Sequence, residues 1–252
     1  MSRPPGSAHS TLARWVSRVL INRNYAFFMA GSFVSATGSW FQAVAVGWLV
    51  LELSNSAFVL GLANFAQMAP LLVLGSVGGA LADRVERRTL VLVSQAGGTL
   101  ALGALAVLAA SGRATVPLIL LASLALGICN AVLWPTWSVF IKDLVGPERL
   151  REAIALNSAR FNLTRVIGPA LAGGVLSRFG AAVCLELAAA GMLGVLVSVW
   201  LIRLPSATPP NRPAPWLQAL REGMAFAWHH GPTRRLLLLT CGPWDNTIRW
   251  IP

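Results

Sequence analysis

From residue 26 onward the chain is a succession of apolar stretches separated by short polar breaks. The stretches cover residues 26–51, 57–82, 89–110, 115–140, 153–177 and 181–204. Each is near or above the ~20 residues that carry a helix across ~30 Å of hydrocarbon. Only helices and closed barrels satisfy every backbone N–H and C=O in lipid, and continuous apolar runs select helices. The pattern predicts an all-α, polytopic membrane protein whose six spans form one bundle over residues 25–204. The basic segment 1–24 precedes it. There Leu12, Trp15, Val16, Val19 and Leu20 recur at helical spacing, with Arg14 and Arg18 off that stripe. This suits a helix lying on an anionic membrane surface, and equally a basic flank that only fixes orientation. Residues 205–235 read as a cytoplasmic linker: Pro205–Pro215 holds five prolines, and 216–229 is amphipathic. In 236–252, Leu236–Leu239 begins like a seventh span but stops after about six apolar residues. The expectation is a chain truncated at the start of its seventh helix, followed by an aberrant tail.

Composition agrees with the pattern. Of 252 residues, 56% are hydrophobic and 12% charged, with mean hydropathy +0.65, too little charge to cover a water-facing surface. The net charge of +11 raises the question of nucleic acid, and its distribution answers it. Of the 20 basic residues, 16 fall on the side shared by the first segment, the second and fourth loops and the C-terminal region. Arg113 and Arg178 alone fall on the other side, and Arg160 and Arg165 lie within the fifth span. The positive-inside rule then places both termini in the cytoplasm and the protein, multi-pass, in the inner (plasma) membrane. The charge encodes topology, and no nucleic-acid partner is expected. Residues 1–24 lack a clean apolar core, so no cleavable signal peptide is expected either. Cys129, Cys184 and Cys241 are far apart and read as packing residues, with no metal spacing. His9, His229 and His230 lie outside the spans, which excludes an intramembrane histidine relay.

Two motifs carry more information. The loop after the second span runs Gly79-Ala80-Leu81-Ala82-Asp83-Arg84-Val85-Glu86-Arg87-Arg88-Thr89. A glycine permits close helix approach, an aspartate at a membrane-face turn can cap or pair with arginines, and the arginines hold the headgroup level. This arrangement resembles the loop signature of the major facilitator superfamily, with Glu86 where that family usually has glycine. The fifth span holds Arg165-Val166-Ile167-Gly168-Pro169-Ala170-Leu171-Ala172-Gly173-Gly174. Gly168, Pro169 and Gly173 resemble the antiporter signature of the same superfamily's fifth helix. Thr164 and Ala172 stand where that signature carries glycines. Ser123, four residues before Gly127, replaces the fourth-span arginine of many proton-coupled members. Trp134-Pro135, Asp143-Leu144-Val145, Arg149-Leu150, Ala155-Leu156-Asn157 and Asn162 are similar to the siderophore-export and macrolide-efflux branch, over about residues 20–240.

Polar residues inside the spans point to a site. A central arginine costs on the order of 3 kcal/mol to insert. Arg160, about two turns in from the basic side, can snorkel to the headgroups. Arg165, nearer the middle, is expected to face a water-filled cavity or to pair with a carboxylate, Glu186 before Glu52. Ser32, Ser35, Ser39, Gln42, Asn64 and Gln67, with Trp40 and Trp48, suit either a cavity for an amphipathic compound or interhelical hydrogen bonds. Gln42, Asn162, Arg165 and Glu186 are the candidates for cavity or coupling. No phosphate loop, metal cluster or nucleophile elbow is present, so neither an enzyme nor a cofactor or metal is expected.

The resemblance implies the N-terminal half of a twelve-span transporter that rocks around a midplane site. It would export small organic compounds, siderophores or drugs, by proton antiport, with Asp83, Arg84, Arg87 and Arg88 holding the inward gate. Its partners would be lipid, a small-molecule substrate, and a second copy or the missing C-terminal half. The rival is a truncated, non-transporting remnant or membrane interaction module that needs a partner half. The topology is directly testable. A cysteine at Arg113 in a cysteine-free chain should react with an impermeant maleimide in intact cells, and one at Arg212 only after permeabilisation; the reverse pattern inverts the assignment.

Overall fold

A computed structural model describes residues 23–82 and 85–202. The basic N-terminal segment, Asp83 and Arg84, and the linker and tail beyond 202 lie outside the described residues. The order is α1 (Arg23–Ser54), α2 (Ala57–Ala82), α3 (Arg87–Ala110), α4 (Val116–Val145), a 3-10 turn (Pro147–Arg149) and a helical run Leu150–Leu201. Each of these long helical segments is apolar enough to cross a membrane.

The last run holds two spans. Its 52 residues would extend about 78 Å if straight, more than twice the hydrocarbon thickness. At Gly180 the backbone turns to φ 81° and ψ 176°, a conformation open to glycine and not to a side chain with Cβ. We call residues 150–179 α5 and 181–201 α6. Cys184 Sγ lies 3.8 Å from the Ala172 carbonyl, so the chain doubles back and the six expected spans are all present.

In lipid the helices gain nothing by hiding apolar surface from each other, so close van der Waals approach decides which pairs form. Glycines provide it. A Cβ at Gly38 would meet the Ala188 backbone at 3.2 Å, and one at Gly191 the Val34 carbonyl at 3.1 Å, which joins α1 to α6. Gly78 faces the Ala131 carbonyl, and Gly127 faces the Gln67 carbonyl and Pro70, which joins α2 to α4. Gly98 sits against Met192, joining α3 to α6, and Gly168 against the Trp40 ring, joining α1 to α5.

Two apolar clusters follow from these pairings. One combines Phe41, Ala45 and Val50 with Leu102, Leu105, Ile119, Leu126, Cys184 and Leu185, toward the end of the bundle that carries Arg113 and Arg178. The other combines Tyr25, Phe28, Val91, Phe140, Leu144, Val195 and Val199, toward the basic end. In that cluster the Phe28 ring lies 4.8 Å from Trp137 and 5.5 Å from Phe140, centroid to centroid. The Tyr25 hydroxyl donates to the Ala153 carbonyl at 3.0 Å, which ties the start of α1 to the start of α5.

Gly127→Leu should drive a side chain into the α2 backbone and cost about 1–3 kcal/mol. Gly103→Leu, where nothing lies within 4 Å of the new Cβ, should change stability by less than about 0.5 kcal/mol. Thermal melting of the two purified variants in detergent distinguishes them, and equal melting points would refute the α2–α4 contact.

Candidate functional site: a midplane cavity and a basic-face clasp

Between the two apolar clusters lies a cavity of about 480 Å³. Its wall draws on all six helices, through the first half of α5 and nearer the middle of the others. Ser32, Ser35, Ser39 and Gln42 come from α1, Gln67 and Met68 from α2, and Gln95 from α3. Asn130, Trp134 and Trp137 come from α4, Asn157, Arg160 and Phe161 from α5, and Ala188 and Met192 from α6. The polar side of α1 therefore lines a cavity and also bonds between helices. Gln42 Nε2 donates to Gln67 Oε1 at 3.4 Å. Asn64 does neither: its amide donates to the Leu60 carbonyl one turn back, on the exposed face of α2.

Arg160 is the charged residue of this wall among those described. One guanidinium nitrogen donates to the Ser32 carbonyl at 2.5 Å and another to Asn157 Oδ1 at 2.9 Å. Asn157 and Arg160 are three residues apart, hence on one helix face. The bond to Ser32 holds α5 to α1 and turns the arginine inward, not up to the headgroups. Three side-chain atoms of this wall are buried without a partner among the described residues: Arg160 Nε, Ser32 Oγ and Gln95 Oε1.

The other expected site residues stand elsewhere. Arg165, Asn162 and Glu186 are exposed on the outside of the bundle, and none of them lines the cavity. Asn162 donates to the Ser158 carbonyl in its own helix. The expected Arg165–Glu186 pair is not formed; among the described residues the ion pair is Arg87–Asp143. The reason is helical phase. At ~100° per residue, Arg165 points about 140° away from Arg160, and Glu186 about 160° away from the α1-facing Ala188 when measured as the opposite side of its helix. Gly168 has the close contact expected of it, with Trp40. Among the described residues nothing lies within 4 Å of a Cβ built at Gly173 or Gly79; Gly78, one residue earlier, makes the contact assigned to Gly79.

At the basic end, Arg87 Nη1 lies 2.7 Å from Asp143 Oδ2, which joins the start of α3 to the end of α4. Arg88 Nη2 donates to the Trp200 carbonyl at 2.7 Å and Nε to the Val199 carbonyl at 3.3 Å. These carbonyls belong to the last turn of α6, where a cation also meets the negative end of the helix dipole. Glu86 accepts from the Thr89 hydroxyl at 2.9 Å. The loop arginines thus clasp α4 and α6. Asp143, Gln95, Asn130 and Asn157 were not singled out from sequence as site residues. The signals were an isolated amide in an apolar span and the Asn157–Arg160 spacing.

Residues 18–241 match the transmembrane secretion effector family, and the chain belongs to that family of major facilitator transporters. It is a multi-pass membrane protein. It is 30% identical over 156 residues to the staphyloferrin A transporter of Staphylococcus aureus, a stretch covering 62% of this chain and 39% of that relative. It is 27% identical over 239 residues to the multidrug efflux pump Tap of Mycobacterium tuberculosis, covering 90% and 55% respectively. It is 28% identical over 218 residues to the enterobactin exporter EntS of Shigella boydii, covering 84% and 51%. The chain spans about half the length of the curated relatives it matches.

The clasp predicts a measurable coupling. Arg87 and Asp143 are about three-quarters buried, so their interaction should be worth about 1 kcal/mol. In a double-mutant cycle of Arg87→Ala and Asp143→Ala, a coupling indistinguishable from zero in the melting free energies would deny the pair any role.

Proposed function

We propose that this chain is the N-terminal six-helix bundle of an inner-membrane exporter, with both termini in the cytoplasm. It moves small organic compounds, siderophores or drugs, outward by proton antiport and catalyses no covalent reaction. The observation that carries the reading is the cavity. It lies at mid-height, between two apolar clusters, and its wall mixes amides, hydroxyls, one guanidinium and aromatic rings. Organic ligand sites have this make-up: an apolar surround with a few convergent polar groups. Midplane sites are also where transporters built from repeated bundles hold substrate. The named relatives are a staphyloferrin A transporter, an enterobactin exporter and a multidrug efflux pump, which supports this substrate range.

The open faces at Gly79, Gly173 and Gly174 support a second bundle, or a second copy, packed against this one. The basic-face clasp would then stand at the inward gate, holding α3, α4 and α6 together as part of the body that rocks against the second bundle. The described wall of the cavity holds no carboxylate, so the proton step falls to one outside it. Glu152, at the start of α5 with Oε2 buried and unpartnered, is our candidate.

The test uses everted membrane vesicles from cells producing the protein, offered enterobactin, staphyloferrin A or a cationic dye. Expected is uptake against a gradient that a protonophore collapses and that Glu152→Gln lowers by about tenfold or more. Uptake indifferent to the protonophore would overturn proton antiport. Absence of uptake for all three compounds, with this chain and a second bundle, the C-terminal half of such a transporter, both present in the membrane, would overturn the transport reading.

A further inference from the structure

Arg165 stands at the middle of α5 on the outside of the bundle. It is 15 residues from Leu150 and 15 from the Gly180 turn. At ~1.5 Å per residue that is about 22 Å from either end of the helix. Mid-depth is ~15 Å from either headgroup level, beyond the reach of an arginine side chain, so snorkelling does not serve it. An arginine left to lipid at that depth is costly, and intramembrane arginines are found paired or in a polar setting. Among the described residues Arg165 makes no hydrogen bond and no ion pair. The described carboxylates stand at other levels. Glu186 is six residues past Gly180, about 13 Å nearer the outer end than Arg165. Glu52 lies near the outer end of α1, Asp143 holds Arg87 at the basic end, and Glu86, Glu148 and Glu152 lie at that same end.

The surroundings of Arg165 suit another helix better than water. Ser158, Asn162 and Arg165 follow one another at four and three residues and share one exposed stripe of α5. Asn162 Nδ2 donates to the Ser158 carbonyl, which leaves its Oδ1 as an acceptor. Large apolar side chains flank the stripe: Ile154, Leu163, Val166 and Leu171 are each half or more exposed. Water wets such a face poorly. A helix covers its apolar part by packing and its polar stripe by hydrogen bonds. Gly173 lies within about 20° of Asn162 around the axis. Among the described residues nothing lies within 4 Å of a Cβ there, so the same face admits a close backbone.

We propose that this face of α5 docks a helix of the second bundle that presents a carboxylate at mid-depth, paired with Arg165. The proposal rests on the reading of the chain as one of two bundles, and it adds the chemistry of their contact. A carboxylate cancels the guanidinium charge and matches its fork with two hydrogen bonds. A neutral amide would serve the donors and leave the charge, and a cation would be repelled. Each charge is costly in lipid alone, so the pair favours the docked state.

The test is association of the full chain, labelled at its N-terminus, with labelled oligo-leucine transmembrane peptides in phosphatidylcholine vesicles, read by energy transfer. The peptides carry one central glutamate, glutamine or lysine, or leucine throughout as the baseline. A central residue sits at mid-depth and so meets Arg165 in either peptide orientation. The glutamate peptide should associate at least about fivefold more tightly than the glutamine peptide, the scale of one interhelical polar contact. The lysine peptide should not exceed the baseline. Arg165→Gln should bring the glutamate and glutamine peptides within about twofold, and Arg165→Glu should make the lysine peptide the tightest. Arg165 holds nothing else among the described residues, so both variants should keep the fold. Arg151→Gln removes the same charge from the exposed basic end of α5 and should keep the preference. Equal association of the glutamate and glutamine peptides, a preference that survives Arg165→Gln, or one lost equally in Arg151→Gln would overturn the docking chemistry while leaving the two-bundle reading to the uptake assay. Failed uptake beside an intact peptide preference would instead sink the transport reading and leave this face as a carboxylate-reading surface.

Discussion

Everything in this bundle depends on how closely its helix backbones can approach. A membrane removes the usual reason for apolar surfaces to associate, because lipid tails solvate leucine as well as another leucine does. What remains is dispersion, which falls off steeply over a fraction of an ångström and rewards only surfaces that fit. The small residues supply that fit at a few crossings. Gly38 and Gly191 bring α1 to α6, and Gly78 and Gly127 bring α2 to α4. Gly38, Ala188 and Gln67, which make these contacts, also line the cavity, so the close crossings border the gap between the helices.

Such a gap changes the cost of polar side chains. In lipid, Arg160, Gln95 and Ser32 would each be expensive; in a walled cavity they can meet each other, water or a ligand. Arg160 also links two helices, because its bond to the Ser32 carbonyl joins α5 to α1. The same residue therefore joins two helices and lines the cavity. Neighbouring Tyr25, whose hydroxyl reaches the Ala153 carbonyl, reinforces that pair nearer the basic end.

The basic end shows a second economy. Arginines whose number and side are explained by membrane topology also make specific contacts: Arg87 with Asp143, and Arg88 with the final carbonyls of α6. Both bonds cross from the first turn of α3 to helices far along the chain. A rearrangement that separates these helices must break them.

The number of spans, their helical nature and the asymmetry of charge were legible in the sequence, because each follows from a one-dimensional quantity: the length of an apolar run, the absence of alternation, the position of arginines along the chain. The motif residues Gly168, Arg87 and Arg88 were legible for a similar reason, since local spacing sets their place at a helix crossing or a membrane-face turn. The polar face of α1 was legible too, and Gln42 and Gln67 lie in the cavity wall. Which arginine of α5 faces inward was not. Arg160 and Arg165 are both intramembrane arginines on one helix, and only the rotation of α5 about its axis separates them. That rotation is set by contacts with distant parts of the chain, Gly168 on Trp40 and Arg160 on Ser32, whose partners no local spacing identifies. The same holds for Asp143 as the partner of Arg87, 56 residues away, and for the meeting of Gln95, Asn130 and Asn157 around one space. Length, polarity and charge belong to the sequence; the phase of each helix, and with it the chemistry of the cavity, is decided by packing among all six.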